Sequence, residues 1–522
     1  VTLLLACVNI ANLLLARANG RDREMALRAA LGAGAPRLAR QLLVESLLLA
    51  SLGGAAGITT AVVGVRAVRA LRPPAALQLD SLTIDVRVLL FALAVTLITG
   101  LLFGLAPAWR AATSRAASAL AGGVRSTDGR RSRRVSQTLV VAEIALAVLL
   151  VTSAGLLLRS FVALRQVDPG FRIDDRIVAS ILLPRRYGDD AATLAFTDDL
   201  VSRVQRLGGV QAVTYASRLP FSGTTTRPDG FAIEGRTGER FGDAVGSRIV
   251  AASWFDVMGV PLISGRVFQE SDDASAERVI VINESMARRY FPDGDAVGRR
   301  ITWDTEDDAD WYRIIGVVGD EHQSGLHARP LMETFVPYRQ LPAVRLRLIV
   351  HTRLPVATLA PTLRAALAEV DPQLPLGDVQ PLREIYGEQL GRDRILLALT
   401  GVFAVLALLL ATVGIYGLMA GMVAQRTREI GIRMTLGAAT SDVAGVILRH
   451  GVALTVPGIV LGLAGAWASS RLLVTVLFGV APTDPFTFLA VTVILTAAAT
   501  AACALPALRA ARLQPDVALR HE

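Results

Sequence analysis

His322 and His327 stand five residues apart beside Asp320 and Glu321, a grouping of the side-chain types that hold divalent metals. Their spacing does not match the HExxH helix, Gly325 lies between them and no third ligand is evident, so a solvated polar loop is expected. Asp307, Asp308 and Asp310 read as a hydrated turn, and Ser264-Gly265 as turn chemistry rather than a nucleophile elbow. All 54 Lys+Arg residues are arginine. The absence of lysine excludes Schiff-base chemistry and a Walker A loop, whose lysine must reach the β- and γ-phosphates. Cys7 and Cys503 both fall in apolar runs, so neither a disulfide framework nor a zinc site can be built from them. Leu4-Leu5-Ala6-Cys7 lacks the preceding basic and apolar regions of a lipoprotein signal, and Cys7 reads as packed in a helix. The chain therefore does not read as an enzyme, and no catalytic residue, metal ligand or bound cofactor is expected in it.

The remaining charges of interest are paired, and they occur twice. The stretch Arg21–Gly34 returns 405 residues later as Arg426–Ala439, identical at seven of its fourteen positions. Each copy lies between long apolar segments. Glu24 precedes Arg28 by four residues, as Glu429 precedes Arg433. That is the favourable order on a helix, worth about 0.2–0.5 kcal/mol. Gly32 and Gly437, after Leu31 and Leu436, suit helix C-caps, and Pro36 and Asp442 suit the start of the next helix. A short capped helix is expected at each place, presenting Arg21, Arg23 and Arg28, or Arg426, Arg428 and Arg433. One reading is an arginine anchor on anionic membrane lipid. The other is a docking helix for a cytoplasmic partner. Duplication of so specific a sequence favours docking.

Elements that hold such elbows must cross a bilayer. The 522 residues contain only 19% charged side chains, which points to a polytopic membrane protein. Apolar runs long enough to span lie near 44–65, 88–108, 138–158, 395–424, 450–470 and 486–508, with a shorter one at 1–16. The run at 395–425 exceeds a bilayer's thickness and should continue as helix beyond it. Residues 109–137 carry seven arginines against Asp128 alone. The positive-inside bias puts 17–40, 109–137, 425–449 and 509–522 in the cytoplasm, and 72–87, 159–394 and 471–485 outside. Val1 then falls on the outer face without a start methionine, and the natural chain is expected to extend further towards its N-terminus. Glu45 and Glu143 lie about one turn inside their spans. Such a carboxylate can mark a proton or substrate path. Snorkelling to the interface or pairing with a nearby arginine is the simpler expectation for both.

Residues 161–391 carry 32 acids and 26 arginines, unlike the basic remainder, and suffice for a folded α+β domain of one or two lobes. Val279–Ile282 reads as a buried strand, Asn283 as the N-cap of a helix over 284–290, and Phe291-Pro292-Asp293-Gly294 as the turn that ends it. Ile314–Val318 and Leu346–Val350 read as further strands, and 357–370 as an amphipathic helix ending before Asp371-Pro372.

A second echo closes each repeat. Pro107-Ala108-Trp109-Arg110-Ala111-Ala112 matches Pro506-Ala507-Leu508-Arg509-Ala510-Ala511, and Ala119-Leu120 matches Ala518-Leu519. Whole three-span modules are therefore repeated in parallel, implying a pseudo-twofold axis along the membrane normal. With the elbows, these modules resemble the MacB/FtsX-like permeases of ABC transporters. Trp254–Phe268, Val281–Glu284 and Phe291–Ile301 resemble the MacB periplasmic core. Glu143–Phe161 and Val167–Phe171 resemble the tandem duplicated-permease branch.

The resemblance implies a polytopic α-helical membrane protein with about seven transmembrane helices in two FtsX-like modules and one α+β extracytoplasmic MacB-type core domain. Its expected divisions are a first module over 1–121, lacking its own first span and outer domain, and a basic cytoplasmic linker over 122–137. A transmembrane helix over 138–160, the core domain over 161–391 and a second module over 392–522 follow. It further implies a multi-pass location in the bacterial inner (plasma) membrane. A separate cytoplasmic ABC ATPase, as a dimer, would bind the elbows and supply ATP and Mg, coupling hydrolysis to motion of the outer domain for efflux or export. Membrane lipid and a periplasmic adaptor or outer-membrane channel are the other implied partners; nucleic acid is not. A regulator of a cell-wall hydrolase or a lipoprotein-releasing permease would use the same architecture.

Overall fold

An uninterrupted apolar run can satisfy its backbone polar groups in lipid only as helix, and the long runs of this chain do so. In a computed structural model, the described residues are 35–70, 85–113, 127–222, 226–227, 230–236, 241, 243, 245–303, 310–323, 325–425, 432, 439–473 and 477–511. They fall into two units, 1–163 with 393–522 and 164–392.

The helical unit contains α1 (Ala35–Ala70), α2 (Val86–Thr113), α3 (Thr127–Arg165), α8 (Leu382–Gln425), α9 (Thr440–Leu473) and α10 (Pro485–Ala511), with α3 and α8 reaching into the other unit's residue range. Among the described residues, five stretches are long and apolar enough to cross a membrane: Leu43–Arg66, Arg134–Arg165, Asp393–Val423, Ala444–Leu472 and Pro485–Arg509. The 88–108 run lies on α2, whose apolar stretch is Val86–Ile98. The 1–16 run lies outside the described residues. Two features extend the sequence reading. Helix α3 starts within the basic segment, at Thr127, and α8 begins well before its apolar part, so its 44 residues measure about 66 Å at about 1.5 Å each.

The helices α3, α8, α9 and α10 share one core, in which Val140, Ile144, Ala147 and Val148 of α3 meet Ala407, Ala411 and Ile415 of α8. Ile459 of α9 and Val491, Leu495, Ala499 and Cys503 of α10 complete it. Glycine brings the backbones close. A Cβ on Gly458 would meet Ile144 Cβ at 2.7 Å, and one on Gly462 would meet Val148 Cβ at 2.5 Å. Gly458 and Gly462 are a small-xxx-small pair, the pattern by which membrane helices pack where water supplies no driving force. Asp484 opens α10 by accepting hydrogen bonds from Thr487 N and Oγ1 at 2.8 and 2.6 Å, and it also pairs with Arg159 of α3.

The second unit is built on one mixed sheet. Its strands in chain order are β1 (Arg176–Leu182), β2 (Val210–Ala216), β3 (Thr226–Arg227), β4 (Ala232–Ile233), β5 (Val245–Val250) and β6 (Leu262–Gly265). Then come β7 (Val279–Asn283), β8 (Arg300–Thr302), β9 (Tyr312–Val318), β10 (Glu333–Pro337), β11 (Arg345–Thr352) and β12 (Val379–Pro381). The order is β12-β1-β11-β2-β5-β10-β7-β9-β8-β4, with β3 on β5 and β6 on β9. β5–β10 and β7–β9 are parallel.

Helices α4 (Asp190–Gln205) and α7 (Val356–Val370) cover the first four strands of that order, where Phe196, Leu200, Leu359 and Leu363 pack on Ile177, Val213 and Leu348. Helix α5 (Trp254–Met258) packs across the middle of the sheet, on Val178 and Ala216 as well as Val250 and Val281, and α6 (Glu284–Tyr290) packs on Ile280, Ile282 and Ile314 of the remainder. The two halves join through a single register pair, Ala216↔Val250 of β2 and β5. The expected run over 279–294 is present: Asn283 ends a fully buried strand, its Oδ1 accepts from Met286 N at 3.2 Å, and Gly294 closes the turn at φ +78°.

Candidate functional site

All of Arg21, Arg23, Glu24, Arg28, Leu31, Gly32, Arg426, Arg428, Glu429, Arg433, Leu436 and Gly437 lie outside the described residues, and so do Cys7, Asp307 and Asp308. What bounds the elbows is described. Helix α1 begins at Ala35 with Pro36 second, α8 ends at Gln425, and Ile432 is helical. Helix α9 starts at Thr440, where Asp442 Oδ2 accepts from Ala439 N at 3.3 Å. Each elbow sequence thus leads into the opening of a long apolar helix.

The two intramembrane glutamates differ. Glu45 is half-buried on α1. Glu143 neither snorkels nor pairs with arginine, contrary to the sequence expectation: it is 0% exposed, and neither carboxyl oxygen has a hydrogen-bond partner among the described residues. Helical phase explains the difference. Glu143 shares its face of α3 with Val140 and Ala147, which the bundle buries completely. Its carboxyl lies against the backbone of α8 at Gly414, where an added Cβ would come within 2.2 Å of Oε2. Gly414→Ala is therefore expected to destabilise the bundle by about 1–3 kcal/mol through overpacking. Thermal unfolding of the detergent-solubilised chain measures this, and Glu143→Ala in the same molecule should restore most of the loss.

In the outer domain the pair of histidines is not the centre of interest. Their loop was expected to be solvated, but Glu321 and Gln323 point into the protein and are 0% and 1% exposed. Arg248 on β5, itself 2% exposed, binds Glu321 through Nη1 and Glu333 through Nη2, the latter at 2.9 Å. Trp254 Nε1 donates to Glu321 Oε1 at 3.2 Å, and the Arg248 guanidinium lies 5.5 Å from the ring centres of Trp254 and Phe335. Gln323 Nε2 donates to Glu333 Oε2 at 2.6 Å and its Oε1 accepts from Leu331 N at 3.0 Å. Asn283 adds to its capping role by accepting from Glu333 N at 2.9 Å and donating to Leu331 O at 2.8 Å. Of the histidines, His322 donates its backbone N–H to Pro169 O at 3.0 Å and buries Nδ1, which has no partner among the described residues, whereas His327 is exposed. Asp310 pairs with Arg278 at 2.8 Å. Ser264-Gly265 belongs to strand β6, at an irregularity in its pairing with β9, rather than to a turn.

This buried network contains one cation and two carboxyl groups. Burial pushes the Glu333 carboxyl above the ordinary glutamate range; Arg248 opposes the shift, while Glu321 adds to it. Because the folded-state value is raised, the proton's contribution to stability is complete below the ordinary glutamate value and is lost as pH rises through the raised one. The domain's unfolding midpoint should fall over that rise. Glu333→Gln should flatten the dependence, as read from Trp254 fluorescence during thermal unfolding at a series of pH values.

Comparison with known proteins agrees with this architecture. The family model described as MacB-like periplasmic core domain matches residues 138–370, and that of the FtsX-like permease C-terminal matches 1–116 and 401–515. The ABC transporter permease YvrN of Bacillus subtilis (strain 168) is 28% identical over 292 residues, covering 52% of this chain and 68% of that protein. The macrolide export ATP-binding/permease protein MacB 1/2 of Paracoccus denitrificans (strain Pd 1222) is 30% identical over 297 residues, 52% of this chain and 41% of that one. MacB of Neisseria gonorrhoeae is 26% identical over 291 residues, 52% and 43% of the two chains. This chain thus spans less than half the length of those MacB proteins. The crystal structure of the periplasmic region of MacB from Actinobacillus actinomycetemcomitans is similar over 43% of this chain and 95% of that one, with 15% identity and a TM-score of 0.30.

The spans and the core domain make this a multi-pass protein of the bacterial inner membrane with an extracytoplasmic domain. With an FtsX-like module on each side of a MacB-like periplasmic core, the chain belongs to the MacB/FtsX-like family of ABC transporter permeases.

Proposed function

We propose that this chain is a permease subunit that couples ATP hydrolysis by a separate cytoplasmic ABC ATPase to movement of its outer domain, driving export. The observation that carries this reading is the repeated elbow sequence, one copy in each FtsX-like module, with a Glu-x-x-x-Arg pair followed by Leu-Gly in both. Two copies of one charged sequence offer equivalent sockets to the two halves of an ATPase dimer. Within these 522 residues no lysine is present to form a Walker A loop, so nucleotide chemistry lies outside them. Closure of the ATPase pair displaces the elbows, and the helices leading from them pass the displacement outwards without cargo having to cross between them.

Mild detergent extraction of the tagged full chain, followed by identification of what co-purifies, tests the assignment. A P-loop ATPase in stoichiometric amount is the expected result. Its absence under conditions that keep the chain folded would overturn the reading.

A further inference from the structure

The carboxyl of Glu143 is the group in the bundle that the coupling scheme leaves unused, and its surroundings ask for a ligand. It lies nine residues beyond Arg134, about 13 Å along α3 at about 1.5 Å per residue, and is wholly enclosed. Among the described residues, neither of its oxygens has a hydrogen-bond partner. Three helices among the described residues share a core with α3. Helix α8 brings Ala407, Ala411, Gly414 and Ile415; its nearest titratable group, Tyr416, is engaged with Arg509, and its Asp393 and Arg394 are at least twenty residues from Gly414 along the helix. Helix α9 brings Gly458, Ile459 and Gly462; its Asp442, Arg449, His450 and Arg471 are at least eight residues from Gly458 along the helix. Helix α10 brings Val491, Leu495, Ala499 and the neutral thiol of Cys503, with Arg509 held by Tyr416. On α3 itself, Arg159 is paired with Asp484 and Arg134 is nine residues away. None of these supplies a counter-charge to Glu143.

An ionised carboxylate left unpaired in such a place would forfeit its hydration without compensation. A proton is the ligand that resolves this, and it is small enough for a site where Gly414 leaves no room for a methyl group.

We propose that Glu143 is a proton-binding site of the permease bundle, occupied while α3, α8 and α9 are closed around it and emptied only when that interface opens to water. On opening, the O–H bond of the acid breaks, the proton passes to an entering water molecule and the carboxylate remains; closure takes a proton back. The glycine contacts at Gly414, Gly458 and Gly462 make this an interface of closely approaching backbones, which a single water-solvated charge would hold apart. A link between this proton and the export cycle rests on the permease reading above. The binding site itself does not, so the test uses the full chain without ATPase.

Infrared difference spectroscopy of the chain in lipid nanodiscs, titrated with base, reads the protonated carboxylic C=O stretch directly. A band present at neutral pH, lost on alkalinisation, absent from Glu143→Gln and displaced in Glu143→Asp is the expected result. Loss of the band should coincide with new alkylation of a cysteine placed at Ala411. Should either variant fail to insert, the wild-type titration together with the other variant still decides. Absence of any protonated carboxyl band at neutral pH, or a band unaltered by substitution of Glu143, would overturn the proposal. So would loss of the band with no gain in alkylation at position 411.

Discussion

Arg248→Met should destabilise the outer domain by about 3–5 kcal/mol, the cost associated with removing one member of a buried ion-pair network. The substitution keeps much of the side-chain volume between Trp254 and Phe335, so the loss reports charge rather than a cavity. Glu321 and Glu333 would remain, both at most 1% exposed, with Trp254 Nε1 and Gln323 Nε2 as their remaining side-chain donors. Two carboxyl groups without a cation must take up protons or draw in water, and either disturbs the segment that Glu321 and Gln323 anchor. Denaturant unfolding of the full chain, followed through Trp254, measures the effect. Replacing all three charges together, Arg248→Met with Glu321→Leu and Glu333→Leu, should return part of the stability, because no charge is left buried while Trp254 Nε1 and Gln323 Nε2 lose their acceptors. Equal destabilisation by the single and triple variants would show that packing, not charge pairing, holds this region.

Gly170→Ala is expected to act on the same segment from its other side. Gly170 has φ +84°, and a Cβ there would lie 1.9 Å from the carbonyl oxygen of Asp320 and 3.1 Å from Cα of Glu321. These are backbone atoms, which cannot rotate aside. The strain of a left-handed alanine and the displacement of the 320–321 backbone together come to about 2–5 kcal/mol. Displacement also draws Glu321 away from Arg248 and weakens the hydrogen bond from His322 N to Pro169 O. Asparagine tolerates positive φ, so Gly170→Asn separates the two contributions. It should recover the conformational part while remaining well below wild type in unfolding midpoint. Full recovery by asparagine would show that the close approach to Asp320 does not matter.

These residues show where sequence reasoning reaches and where it stops. The strand, cap and helix over 279–290 are legible because each signal is local: four β-branched residues, then a side chain able to accept from a backbone N–H three positions on. Long spans are legible because lipid admits little else. The Arg248 network is not legible, since its members come from β5, the segment after β9 and β10, 73 and 85 positions apart. Nothing near Glu321 in sequence distinguishes it from a surface acid. Glu143 was expected to reach the interface because depth can be read from residue number, whereas rotational phase cannot be read from a span that is apolar all round. One signal was available there. The Gly458–Gly462 pair marks a face of close helix packing, and α3 is the helix that meets it. For the elbows, the repeat itself is the evidence.

The coupling claim is tested most directly by the ATPase rate of the co-purified partner, with and without the chain in nanodiscs. Wild-type chain should stimulate hydrolysis. Glu429→Arg with Arg433→Glu, which reverses the charge order while leaving the apolar spans untouched, should insert normally and lose that stimulation. Undiminished stimulation by this variant would contradict the account.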